Sequence, residues 1–242
     1  MPSLSIVIPA YNEEKRLPPT LERVASYLAA SRYRPYEVIV VDDGSRDGTA
    51  AVAEKFCATH PEFRVLRNPG NRGKGYSVRH GMLEARNDWV LFSDADLSAP
   101  IEEVEKLFAA VSKPECEVAI GSRAVDRSLI GVHQSIFREN AGRIFNLFMR
   151  VLVGLRISDT QCGFKLFRRD AAQAVFKNVR MERFGFDAEA LFIAHKKGFA
   201  IAEIPVRWDH VEGTKVSMFG DSLDMFLDLL RIRWNWLRGL YR

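Results

Sequence analysis

Five short apolar runs, each separated from the next by a helix-length segment, constrain this chain most. They fall at residues 4–8 (LSIVI), 37–41 (EVIVV), 63–66 (FRVL), 89–93 (WVLFS) and 118–121 (VAIG). Helical patterns lie between them, near residues 14–31, 47–59, 74–86 and 101–112. Strands alternating with helices make βαβ units and a largely parallel sheet. Strands that read as continuous apolar runs are covered on both faces. The first 122 residues therefore predict an α/β fold, a Rossmann-like sheet with helices on both sides.

After residue 122 the pattern changes. Residues 122–140 are polar and weakly periodic, which predicts a long loop leading into a helix. Residues 143–154 (RIFNLFMRVLVG) predict a strongly apolar helix, either a core helix or a platform for a lipid chain. Two more strands are expected at 163–169 and 199–208, with a helix near 187–197 between them and a closing helix over about 221–239. No repeat or linker divides the 242 residues, so one domain is expected, with a C-terminal extension.

In open parallel sheets, ligands bind outside the carboxyl ends of the strands. Four unusual loops should meet on that rim: PAYNEE (9–14), VDDGSRDGT (41–49), SDADLSAP (93–100) and GSR (121–123). The third carries Asp94 and Asp96, one residue apart. Carboxylates this close repel unless a cation or a proton lies between them. A hard divalent cation, Mg²⁺ or Mn²⁺, takes oxygen ligands and commonly bridges one or two carboxylates to substrate phosphates. The alternative is a solvated turn or helix cap. Asp42 sits where the second strand of a nucleotide-binding half places an acid, though turn chemistry also explains this loop. The Gly-rich stretch at residues 68–81 is neither a P-loop nor a GxGxxG fingerprint. Its Arg72 and Lys74, at a helix entry, suit a phosphate or a solvated surface equally.

Composition narrows the alternatives. A net charge of +4 is too small to argue for nucleic acid. No apolar stretch approaches the ~20 residues that span a bilayer, and with no basic-then-apolar segment before the first strand no signal peptide is expected. Cys57, Cys116 and Cys162 are odd in number and far apart, which fits a reducing compartment. The five histidines show no zinc spacing.

Together SIVIPAYNE, VVDDGSRDGT, NRGKGYSVRHGM, FSDADLSAP and GSR resemble the family 2 inverting glycosyltransferases of GT-A fold. The second half, with DTQCGFKLF, RFGFDAEALFIA and IPVRWDHVEGTKV, is similar to dolichyl-phosphate β-glucosyltransferases and their prokaryotic polyprenyl-phosphate relatives. The resemblance implies a UDP-glucose donor, a polyprenyl phosphate acceptor and Mg²⁺ or Mn²⁺. It makes residues 1–122 a nucleotide-sugar half, 123–219 an acceptor half and 220–242 an amphipathic helix. Pro9, Ala10, Tyr11, Glu13 and Asp42 would hold the nucleoside. Asp94, Ala95 and Asp96 would hold the donor, the two acids through the metal. Arg123 would reach phosphate or acceptor, Arg138 the acceptor phosphate, and Gln161 and Lys165 would line the acceptor side. Lys215 would close over phosphate. A GDP-mannose-using lipid-phosphate transferase, a polysaccharide-extending family 2 transferase and a non-catalytic nucleotide-binding domain are the competing readings.

A phosphate acceptor is already an anionic nucleophile near neutral pH, its last pKa being roughly 6, so it needs cations more than a general base. Arg123, Arg127, Arg138, Arg143 and Lys165 fit that need. Asp159 and Asp187 are the candidate bases, with capping and ion pairing the favoured reading. The eukaryotic relatives carry an N-terminal membrane helix and this chain starts at its first strand, so a cytoplasmic prokaryotic protein bound peripherally to the membrane is expected. The expected device is the C-terminal helix. Leu223, Phe226, Leu227, Leu230, Trp234, Leu237 and Tyr241 recur on one face, and Asp221, Asp224, Asp228, Arg231, Asn235, Arg238 and Arg242 on the other. It reads either as docked through its apolar face or as an interfacial anchor that can be removed without unfolding the domain.

Overall fold

The computed structural model describes residues 1–112, 116–132, 154–211 and 220–241. Arg138, Arg143, Lys215 and the apolar segment 143–153 lie outside the described residues.

A seven-stranded sheet organises the chain, in the order β3-β2-β1-β4-β7-β5-β8. The strands are β1 (Leu4–Ala10), β2 (Tyr36–Asp42), β3 (Phe63–Arg67), β4 (Trp89–Ser93), β5 (Val118–Ser122), β7 (Phe164–Arg168) and β8 (Ile201–Pro205). A parallel pair, β6 (Ile130–Val132) and β9 (Trp208–Asp209), stands apart. All the pairings in the large sheet are parallel except those of β7, which runs antiparallel between β4 and β5. The carboxyl ends of β1, β2, β4 and β5 therefore share one rim, as expected. The reversal of β7 brings its preceding loop, residues 159–163, to the same rim.

The helices are α1 (Leu17–Ala30), α2 (Thr49–Cys57), α3 (Lys74–Glu84), α4 (Val104–Val111), α5 (Arg169–Phe176), α6 (Phe186–Lys196) and α7 (Gly220–Leu237). Pro18 and Pro19 sit in the first turn of α1, where a missing N–H costs nothing, and Leu17, Leu21, Val24 and Leu28 form its buried stripe. Helix α5 follows β7 directly and was not anticipated, because its eight residues are too few to show a clear period.

Alternation along β1 divides the core in two. Leu4, Ile6 and Ile8 pack with α1 and α4 on one face, and Val7 packs with α3, α5, α6 and α7 on the other. No helix among the described residues is long and apolar enough to cross a membrane.

Helix α7 docks, but through a face other than the expected apolar one. It docks through Leu229 and Ile232, both fully buried, and Asp228 is buried at 8% exposure. Tyr241, just beyond it, is also buried. The Tyr241 hydroxyl donates to Glu189 Oε1 at 2.5 Å, and Phe192 of α6 packs edge-on against Trp236 and Tyr241. Of the expected apolar face, Leu227, Leu230, Trp234 and Leu237 stay exposed while Tyr241 is buried. Asp228 reaches inward because Gly185 leaves room for it: a Cβ there would lie 2.3 Å from Asp228 Oδ2. The helix and the turn after it thus contribute Leu229, Ile232 and Tyr241 to the main core.

Candidate functional site at the sheet rim

Side chains and backbone stitch the rim loops together. After β1, Asn12 adopts the left-handed region with φ 52°. Its N–H donates to Ser45 Oγ at 3.0 Å, and its Oδ1 accepts the Arg46 N–H at 2.8 Å. A non-glycine residue held there is strained, and such strain clusters at functional sites. Asp42, at the end of β2, is buried and accepts the Ser45 N–H at 3.3 Å. Asp43 does more than cap a turn. It accepts from Asn68 Nδ2 at 2.7 Å, the Arg72 N–H at 3.0 Å and the Gly73 N–H at 2.7 Å, tying the β2 loop to the entry of α3. Pro9, Ala10 and Tyr11 line the same edge. The Glu13 carboxylate grips Arg16 at 2.6 and 2.7 Å.

The acid pair sits at the centre of the rim, after β4. Asp94 and Asp96 are half-buried, and Ala95 between them is buried, its carbonyl accepting from Thr20 Oγ1 at 2.7 Å. Leu97 is the second non-glycine residue in the left-handed region, with φ 47°. Its turn is closed by the Leu97 N–H to Asp94 O at 3.3 Å and the Ser98 N–H to Asp96 Oδ1 at 3.0 Å. On the far side, the Asp94 N–H donates to Gly163 O at 3.1 Å. Gly163 leaves room for the Asp94 carboxylate as placed, since a Cβ there would lie 2.0 Å from Asp94 Oδ2.

Cations surround these acids. Lys74 Nζ lies 2.6 Å from Asp94 Oδ1, a buried oxygen for which this is an ionic contact rather than an aligned hydrogen bond. Burial opposes the Lys74 charge, but Asp94, Asp187 and Asp96 outweigh it and raise its pKa above the ordinary lysine value. Lys165 is 1% exposed; its Nζ donates to Cys162 O at 2.6 Å and pairs with Asp187. Both ammonium groups lie over the Phe92 ring, at 5.3 and 5.6 Å from its centroid. Burial raises the Asp187 pKa, and Lys165 and Lys74 only partly offset it.

A second pair, half-buried at Arg123 and buried at Asp159, stands beside them. Arg123 forks onto Asp159 at 2.6 and 2.8 Å, with its own N–H on Asp159 Oδ2 at 3.0 Å, and lies over Trp208 at 5.3 Å. Burial pushes the Asp159 carboxyl up, but Arg123 more than reverses this and holds it at about 2. The Gln161 N–H donates to Asp159 Oδ1 at 3.2 Å. Glu203 of β8 fixes this loop by accepting the Ser158 and Asp159 N–H groups, at 2.9 and 2.7 Å on its nearer oxygens.

The structure therefore gathers Asp42, Lys74, Asp94, Asp96, Arg123, Gln161 and Lys165 around one rim. Lys165 and Arg123 face carboxylate partners rather than open solvent, so their charges act through pairs. Asp159 and Asp187, the candidate bases, are the other halves of those pairs. Sequence reasoning missed the Asn12 and Leu97 strain, the Asp43 clamp and the Glu203 brace. Only the Asp-Gly turn around Asp43 gave a signal.

The donor set at Asp94 and Asp96 fits a hard cation. It offers carboxylate oxygens beside solvent, and Asp94 already meets a positive charge, the Lys74 ammonium. No group of three or more His, Cys, Asp or Glu converges among the described residues. Further ligands would have to come from substrate or water, the usual habit of Mg²⁺.

Residues 5–176 match glycosyl transferase family 2. The dolichyl-phosphate beta-glucosyltransferase of Homo sapiens is 41% identical over 250 residues, covering 99% of this chain and 77% of that protein. The Saccharomyces cerevisiae protein of the same name is 38% identical over 256 residues, covering 99% and 76%. Glucosyl-3-phosphoglycerate synthase from Mycobacterium tuberculosis, solved with Mn²⁺, UDP and glucosyl-3-phosphoglycerate, gives a TM-score of 0.70 at 18% identity over 96% of this chain and 80% of that one. The same enzyme with Mg²⁺ and UDP gives 0.71 at 18% identity, over 96% and 79%. At that identity the likeness speaks for the fold alone. With its seven-stranded sheet, its acid-bearing rim and a family match over most of its length, this chain belongs to glycosyl transferase family 2 and has the GT-A fold.

Proposed function

We propose that this protein transfers glucose from UDP-glucose to a polyprenyl (dolichyl-type) phosphate, with inversion at the anomeric carbon. The observation that carries the reading is the near-full-length similarity to dolichyl-phosphate beta-glucosyltransferases at 41% identity. The rim chemistry agrees with it. A phosphate acceptor needs no proton removed at neutral pH. Both candidate carboxylate bases are buried in ion pairs, Asp159 with Arg123 and Asp187 with Lys165.

In this account Pro9, Ala10, Tyr11, Glu13 and Asp42 form the nucleoside edge, with Asn12 and Asp43 holding their loops in shape. Asp94 and Asp96 would hold Mg²⁺ or Mn²⁺. The ion, when bound, neutralises the diphosphate leaving group. The M. tuberculosis synthase solved with Mn²⁺ and UDP-glucose supports such a donor on this fold. Lys74, 2.6 Å from Asp94 Oδ1, would be the nearest side-chain cation to the diphosphate. Arg123, Arg138, Gln161 and Lys165 form the acceptor side, and Lys215 would close over the donor phosphate. The reaction would take place at the cytoplasmic face of a membrane, with the protein attached peripherally.

The test is a nucleotide panel. Purified protein should release UDP from UDP-glucose only when a prenyl phosphate and Mg²⁺ or Mn²⁺ are present, and should ignore GDP-mannose. GDP release from GDP-mannose would move the assignment to a mannosyl donor. Nucleotide binding without turnover of any sugar nucleotide would make the chain a binding domain.

A further inference from the structure

We infer that the exposed face of α7 is an interfacial docking surface for an anionic lipid bilayer. Four of the seven large apolar side chains left exposed among the described residues belong to this helix: Leu227 at 38%, Leu230 at 45%, Trp234 at 61% and Leu237 at 71%. At 100° per residue they fall within one quadrant of the helix and run for about 15 Å along it. The opposite side, with Leu229 and Ile232, is buried in the core, so the stripe is not the helix's folding face.

Charge identifies the occupant. Arg231 borders the stripe on one side and Arg233 on the other, and both are exposed. From Leu227 to the chain end there is one acid, Asp228. It is buried and paired with Arg231 at 2.8 Å. The open surface thus presents leucines, a tryptophan and arginines without an acidic side chain. That is the composition of a helix lying in the headgroup region, where apolar side chains enter the acyl boundary and arginines meet lipid phosphates. A second copy of the chain is the competing occupant of this face, and the experiment separates it from a bilayer.

The docking of α7 also orients the site. Asp228 packs against Gly185, two residues before Asp187 at the rim. A bilayer contacting the outer side of α7 is thereby held in fixed relation to the site. That use of the surface rests on the proposed lipid acceptor; the surface itself rests on burial and charge.

The experiment is flotation of the full chain with phosphatidylcholine vesicles, with and without phosphatidylglycerol, none containing acceptor. Binding to the phosphatidylglycerol vesicles is expected at low salt, weakening as salt is raised. The Leu230→Ser/Trp234→Ser variant should bind at least about tenfold more weakly, and Arg233→Gln/Arg238→Gln should lose the preference for the anionic lipid. Thermal melts should be near wild type, since all four side chains are exposed. Turnover on a short, water-soluble prenyl phosphate should be unchanged, so failure of the reaction and failure of docking are read separately. Wild-type protein that ignores the anionic vesicles overturns the inference, as does a double variant that still binds them. A wild-type dimer by light scattering that the apolar variant splits would assign the face to self-association instead.

Discussion

Replacing Lys165 with Met tests the buried charge network. The Lys165 side chain is 2% exposed and that of Asp187 7%, and Lys165 lies in β7 between Phe92 of β4 and Ile120 of β5. Met fills most of the lysine stem's volume, so the change removes charge with little loss of packing. It leaves Asp187 buried without its nearest cation, and Cys162 O without its 2.6 Å donor. Stranding one member of a buried pair costs about 3–5 kcal/mol. Lys74 still attracts Asp187, which favours the lower end of that range. Asp187→Asn should cost a similar amount by stranding Lys165. The double variant should be less destabilised than the sum of the two, by about 1–3 kcal/mol. Urea denaturation at neutral pH measures all three. The single-variant Lys165→Met cost should also shrink as pH falls, because the Asp187 pKa is already raised and protonation removes the stranded charge. Single-variant costs below about 1 kcal/mol that simply add would refute the account of this pair.

Three further outcomes are expected. Asp96→Ala should abolish metal-dependent transfer while shifting stability by less than about 1 kcal/mol, because the side chain is half-exposed on a rim; unchanged turnover would remove Asp96 from the donor site. Asp159, lowered from 3.8 to about 2, contributes stability that is present above its unfolded pKa and lost as pH falls through its folded one. That contribution is roughly 2 kcal/mol, so the urea midpoint should drop between about pH 4 and pH 2, and Asp159→Asn should flatten that drop. Deleting residues 220–242 should abolish cooperative unfolding, because it uncovers the surface that Leu229, Ile232 and Tyr241 bury. A truncated chain that melts cooperatively would show that α7 is separable from the core.

The strand-helix alternation was legible because β1, β2, β4 and β5 are buried on both faces and so carry unbroken apolar runs. The rim followed from the same pattern, since the sheet places every carboxyl-end loop together. The direction of β7 was not legible, because the apolar pattern of FKLFR is the same for either direction. Nor were the partners of Lys165 and Arg123. Those pairs join residues 22 and 36 apart across elements, where local pattern carries no information. The face of α7 misled for a physical reason. Periodicity identifies an apolar stripe, but it cannot say whether protein or another apolar phase covers it. Leu229, Ile232 and the inward Asp228 made a second, narrower docking face that the wider stripe concealed.

The central claim is glucosyl transfer to a lipid phosphate, and the lipid product tests it most directly. Purified protein incubated with UDP-glucose, Mg²⁺ and polyprenyl phosphate should yield a lipid heavier by one hexosyl unit, with a β-linked glucosyl phosphate by NMR. An unmodified lipid, with glucose appearing instead on a sugar or released to water, would contradict it.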